Sequence, residues 1–147
     1  MSLKNKFKTN SAAAGSGVWV IFENAKNADG TVPAFKLARM SKQNKGYMTA
    51  MRRITEKYKT ASGEFDASRI SDEEGEKILL EVFVDNVLLS WRHVQPEDDG
   101  KSLEFTKENA LKLLADPDWL DLVTELRAIA ENAHNFKQAA IEADVKN

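Results

Sequence analysis

The residues able to do chemistry are few, and their spacing argues against a reaction. Histidine occurs only at His93 and His134, and cysteine does not occur. Without thiolates, a metal needs imidazoles and carboxylates at defined spacing, and neither histidine lies in an H-x-x-x-H or H-E-x-x-H pattern. His93 follows an apolar run that reads as a helix, where a cation near the last carbonyls has a structural use. The carboxylates of Glu64, Asp66, Asp72, Glu73, Glu74 and Glu76 fall in a connection and a first helical turn, where solvation and the helix dipole account for them. Asp98-Asp99-Gly100 lacks the alternating oxygen ligands and closing glutamate of a calcium loop. No phosphate-binding glycine loop, dinucleotide fingerprint or nucleophile elbow occurs. The expectation is a protein that is not an enzyme, with no catalytic residues, metal or cofactor.

The elements around these residues suggest a different kind of work. The chain has 147 residues, enough for one domain with its own core, and its 42% hydrophobic and 30% charged residues are ordinary for a folded protein. No apolar run approaches the roughly 20 residues that span a bilayer, and the basic start lacks the apolar stretch of a secretory signal. Residues 9–17 are small and polar with nothing to bury, so residues 1–16 read as a flexible segment ahead of a single domain over 17–147. Val18 to Phe22 and Val32 to Leu37, around a loop holding Asp29-Gly30, predict a β-hairpin; Pro33 makes the second strand an edge or delays its start.

Helical periodicity then takes over. Tyr47, Met51, Ile54 and Tyr58 recur at steps of four and three, with Gly46 weakening the helix start. Ser71-Asp72-Glu73-Glu74 has the form of a capping box. It opens a helix in which ten of the fourteen residues from Ile78 to Trp91 are apolar, the mark of an element buried by its neighbours. Glu81, Asp85 and Arg92 share a narrow polar stripe at about 100° per residue, and Leu88 falls on it as the expected exposed exception. Thr106 caps a short helix, and Asp116-Pro117-Asp118 stops it and starts the next. The last helix carries a seam of Trp119, Leu122, Leu126, Ile129, Ala133, Phe136 and Ala140. The fold class is therefore α+β and predominantly α-helical: an N-terminal β-hairpin followed by about four helices.

Charge is unevenly spread. Residues 41–60 carry six cations against Glu56, a net of +5, and residues 61–100 carry eleven carboxylates against three cations, a net of −8. Two solvated faces of one domain account for this; so does head-to-tail self-association through opposite patches. Arg52-Arg53 on the basic helix could touch phosphates, but the helix lacks a partner joined by a turn suited to groove docking, and the net charge of −2 argues against nucleic acid. Partner contacts are expected at Arg52, Arg53 and Leu88, and at Phe136 and Ala140 on the alanine-rich last helix, a face able to receive a partner helix.

The order of segments resembles a known family. Gly17-Val18-Trp19-Val20 precedes Phe35-Lys36-Leu37-Ala38-Arg39 and an asparagine-bearing helix at Asn44. An apolar run ending Leu88-Leu89-Ser90-Trp91-Arg92 is followed by Asp99-Gly100, Phe105-Thr106-Lys107-Glu108-Asn109, Leu113-Leu114, Pro117-Asp118 and a closing Asn135-Phe136. Over about residues 17–140 this resembles the phage tail assembly chaperones. The resemblance implies a non-enzymatic protein that binds and solubilises the tape measure protein, helps recruit tail tube protein subunits, and forms a homo-oligomer. It implies action in the host cytoplasm and absence from the mature virion, with no nucleic acid or membrane partner. The rival expectation is a structural virion component, such as a head–tail connector or tail-completion protein.

Overall fold

The computed structural model describes residues 2–137 and the main chain of residues 145–146. Strands β1 (Val18–Ile21) and β2 (Ala34–Leu37) pair antiparallel with Val20 opposite Phe35, the hairpin that the two β-prone runs predict. Pro33 stands just before β2, so its missing N–H costs the ladder nothing, while its carbonyl accepts from Phe22 N at 2.9 Å. Between the strands, Gly30 N donates to Asn27 O at 2.9 Å, and Gly30 closes the turn at a φ of 87°.

Four helices follow the hairpin: α3 (Lys45–Lys57), α4 (Asp72–Asn86), α5 (Lys107–Ala115) and α6 (Leu120–Glu131). Polar side chains predicted to start helices do so. Ser71 Oγ accepts from Glu74 N at 3.1 Å and Thr106 Oγ1 from Asn109 N at 3.0 Å. Asp116 accepts from Asp118 N across a 3-10 turn, Pro117–Trp119, that leads into α6. The Glu74 carboxylate of the capping box accepts instead from Tyr58 Oη at 2.7 Å, tying the end of α3 to the start of α4. The fold is α+β.

One hydrophobic core joins these elements. The inward face of the sheet (Val18, Val20, Phe35, Leu37) meets Phe83, Val84 and Val87 from α4 and its end, Ala110 and Leu114 from α5, and Leu126 and Ala130 from α6. An edge-to-face aromatic ladder runs Phe22, Phe35, Trp91, Phe105, with centroids 5.3, 6.1 and 5.0 Å apart. Trp91 Nε1 donates to Leu103 O at 2.7 Å, which folds the segment after Asp98-Asp99-Gly100 onto the core.

Three expectations are corrected. The apolar run over 78–91 is not one helix. It breaks at Val87, and Leu88–Arg92 forms strand β3, antiparallel to β2 on the side away from β1. An apolar run without polar alternation suits a buried helix and a buried strand alike, and tertiary pairing decides. Here Ala38 N takes Val87 O at 2.8 Å and β2 takes the rest of the ladder. Leu88 is consequently 1% exposed, in the core and not on a polar stripe, and His93 follows a strand at a φ of 56° instead of a helix end.

The last helix also stops early, at Glu131. Asn132 accepts from His134 N at 3.0 Å to start a new 3-10 turn, Ala133–Phe136, and Asn135 Nδ2 donates to Ile129 O at 3.0 Å. These local bonds compete with helix continuation. The change of direction turns Phe136 fully into the core, at 0% exposure.

Residues 2–16, read as a loose lead-in, contain two short helices, α1 (Leu3–Phe7) and α2 (Ser11–Ser16), capped by Ser2 and Asn10. Ala13 and Ala14 are buried, with Arg39 N bonded to Ala14 O at 2.9 Å. Strand β4 (Val145–Lys146) lies parallel to β1 and completes the order β3-β2-β1-β4.

Candidate partner-binding surfaces

Helix α3 is amphipathic in sequence but peripheral in the fold. Asn44 caps its start, with Oδ1 accepting from Tyr47 N at 3.1 Å. Tyr47, Met51 and Ile54 fall on one face at steps of four and three. No residue of α3 is fully buried: Tyr47, Met48, Met51 and Ile54 are all half-covered. The helix packs on α4, where Leu79 is 42% exposed, and Phe65 in the α3–α4 connection is 47% exposed. The result is a strip of half-covered apolar side chains along α3, with further apolar side chains exposed at Leu79 on α4 and Phe65 in the connection. Its methionines are unbranched and repack readily around different partners.

Arg52 and Arg53 are exposed on α3, as expected of a surface cation pair. Successive residues lie about 100° apart, which puts Arg52 beside the apolar strip and Arg53 on the far side. The other predicted contact residues do not join them. Leu88 and Phe136 are core residues, so a partner cannot reach either without opening the fold. Ala140 lies outside the described residues.

A second surface was not anticipated. An open groove of about 580 Å³ lies between α1, the segment 39–43, and residues 133 and 137. Lys6, Arg39, Lys42 and Lys137 border it, and among the described residues no carboxylate does. Arg39 Nη1 donates to Thr9 Oγ1 at 2.9 Å and Gln43 Oε1 at 3.0 Å, while its buried Nε has no partner among the described residues. Neutral oxygens orient that guanidinium without cancelling its charge. Phe7, 64% exposed, adds an apolar surface. The groove depends on α1 standing where it does; Ser2 and Asn10, each with a side-chain oxygen that accepts from the amide three residues on, were the local signals for that order.

Little else is electrostatically prepared. Asp29 is held at about 2 by hydrogen bonds from the Thr31 hydroxyl and amide and from Gln95, which is turn architecture. Asp66 is lowered by the hydroxyl and amide of Ser68. The Tyr58 phenol is raised by its bond to Glu74. Among the described residues no group of three or more His, Cys, Asp or Glu side chains could hold a metal ion, and no helix is long and apolar enough to cross a membrane.

No curated protein and no solved structure matches the chain. The family model described as YdaY prophage protein matches residues 42–147, from the Lys42 edge of the groove through α3 and onward, more than two thirds of the sequence. The chain belongs to the YdaY prophage protein family.

Proposed function

We propose that this prophage protein is a tail assembly chaperone. It binds the long helical tape measure protein, keeps it soluble and helps recruit tail tube subunits around it. Membership of a prophage family and the resemblance over 17–140 support the setting. The observation that carries the binding mode is the partly covered strip of Met48, Met51 and Ile54 along α3, with Leu79 exposed on the neighbouring α4. Amphipathic helices lay their apolar faces into such strips, and a tape measure left alone exposes long apolar stripes that aggregate. Arg52 beside the strip suits carboxylates that flank an apolar helix face.

Co-expression with the tape measure protein of the same prophage tests the proposal. The wild-type chain is expected to shift that protein into the soluble fraction, and Met51→Asp with Leu79→Asp to lose the effect while remaining folded. No shift with the wild type removes the proposal. Recovery of this chain from purified particles by mass spectrometry would instead make it a virion component.

A further inference from the structure

We propose that the cationic groove is one half of a head-to-tail contact between copies of this chain, and that the acidic turn carrying Leu120 is the other half. The inference deepens the self-association expected of such a chaperone and is independent of the tape measure partner.

Among the described residues the groove presents four cations around Phe7 with no carboxylate in its lining, and Arg39 is held in place by the uncharged acceptors Thr9 and Gln43. The junction of α5 and α6 presents the converse. Leu120 is 62% exposed at the first position of α6, with Asp116 and Asp118 before it and Asp121 after it, all three exposed. Pro117 and the Asp116 cap fix the 3-10 turn that projects it. An exposed apolar centre in a positive collar thus faces an exposed apolar centre in a negative one, the arrangement that gives both burial and electrostatic register.

The whole chain is divided in the same sense. Residues 1–59 hold twelve cations and three carboxylates, whereas residues 60–147 hold nine cations and twenty carboxylates. A second copy therefore supplies the complementary surface, while a polyanion meets the groove only by approaching a strongly acidic remainder. The two patches differ, so the contact is heterologous and a pair of copies keeps one free groove and one free turn. Such contacts propagate into rings or open arrays, and repetition covers a long partner through many weak sites.

Sedimentation of the full chain tests this with two variants, Lys6→Glu with Lys42→Glu in the groove, and Asp118→Lys with Leu120→Ser in the turn. All four residues are exposed, and circular dichroism checks that both variants stay folded. Wild-type mass is expected to rise with concentration and fall with salt. Each variant alone should self-associate about ten-fold more weakly or worse. An equimolar mixture should form 1:1 dimers and stop there, because one intact groove and one intact turn remain. If the wild type assembles and the variants assemble equally well, self-association stands and this contact is overturned. A mixture of folded variants that stays monomeric overturns it as well. A wild type that is monomeric throughout overturns both. A monomer that binds a labelled DNA oligonucleotide at low salt, lost in the groove variant, assigns the groove to a polyanion and overturns the proposal.

Discussion

The side-chain amide of Asn44 donates to the main-chain oxygen of Asn86 at 2.8 Å, so one residue caps the end of α4 while its other atom caps the start of α3. Asn44 is the one buried polar residue among the described residues, at 6% exposure. Gly46, which weakens α3 by propensity, has a reason to be there: a Cβ would sit 2.9 Å from Asn86 Oδ1. This junction sets where α3, and with it the half-covered strip, lies on α4.

Removing the junction should be costly. Asn44→Ala loses both bonds and leaves the part-buried Asn86 carbonyl without this donor, an expected loss of about 2–3 kcal/mol. Asn44→Ser keeps a capping oxygen but cannot reach Asn86, and should recover about 1 kcal/mol of that. Urea unfolding of the two variants beside the wild type checks both numbers. Equal stability of Asn44→Ala and wild type would mean that α3 is not anchored here.

The two readings of Leu88 differ sharply in stability. In the core of the fold, Leu88→Ala should cost about 2–5 kcal/mol, as truncations of buried leucines do. Leu79→Ala, at a partly exposed site, should stay within about 1 kcal/mol. Thermal unfolding compares them directly. A negligible effect at Leu88 would restore a continuous helix through residue 91.

Much of the fold was legible in the sequence because the signals were local. Val18 to Phe22, Pro33, Ser71 to Glu74, Thr106 and Asp116-Pro117 each act through neighbouring atoms, and each sits where it was expected. What escaped depends on distant partners. Val87-Leu88-Leu89 becomes a strand because β2 offers an edge, and Phe136 turns inward because Asn132 and Asn135 bend the chain after Glu131. The candidate surfaces divided in the same way. Arg52 and Arg53 are exposed as the helical period requires, whereas the groove joins residues 6, 39, 42 and 137, which no spacing rule connects.

Gly17 is required by its surroundings as well as by its backbone. It sits at a φ of 90°, and a Cβ there would lie 2.7 Å from Leu89 Cδ1 and 3.2 Å from Leu37 O. Gly17→Ala should therefore destabilise by about 2 kcal/mol, combining left-handed strain with overpacking. Chemical denaturation measures it. Gly15, with open space around its Cβ position, should accept alanine with a small gain.

Acid sensitivity should report on the hairpin loop. Asp29 has its carboxyl lowered from 3.8 to about 2 by Thr31 and Gln95. Its contribution is fully present above the unfolded value and is lost as pH falls through the folded one, so the window is about pH 4 down to pH 2. Carbon-detected NMR should place the Asp29 carboxyl midpoint near 2, and Asp29→Asn should flatten the stability profile in that window. A midpoint near 4 would mean that the Thr31 bonds do not persist in solution.

The central claim is that α3 and α4 hold amphipathic helices of the tape measure protein. Amide hydrogen exchange of the full chain, with and without a tape measure fragment, tests it most directly. Residues 45–57 are expected to exchange quickly in the free protein, since no residue of α3 is fully buried, and to gain strong protection on binding together with the exposed side of α4. Unchanged exchange across 45–57 and 72–86 in the presence of a saturating fragment would contradict it.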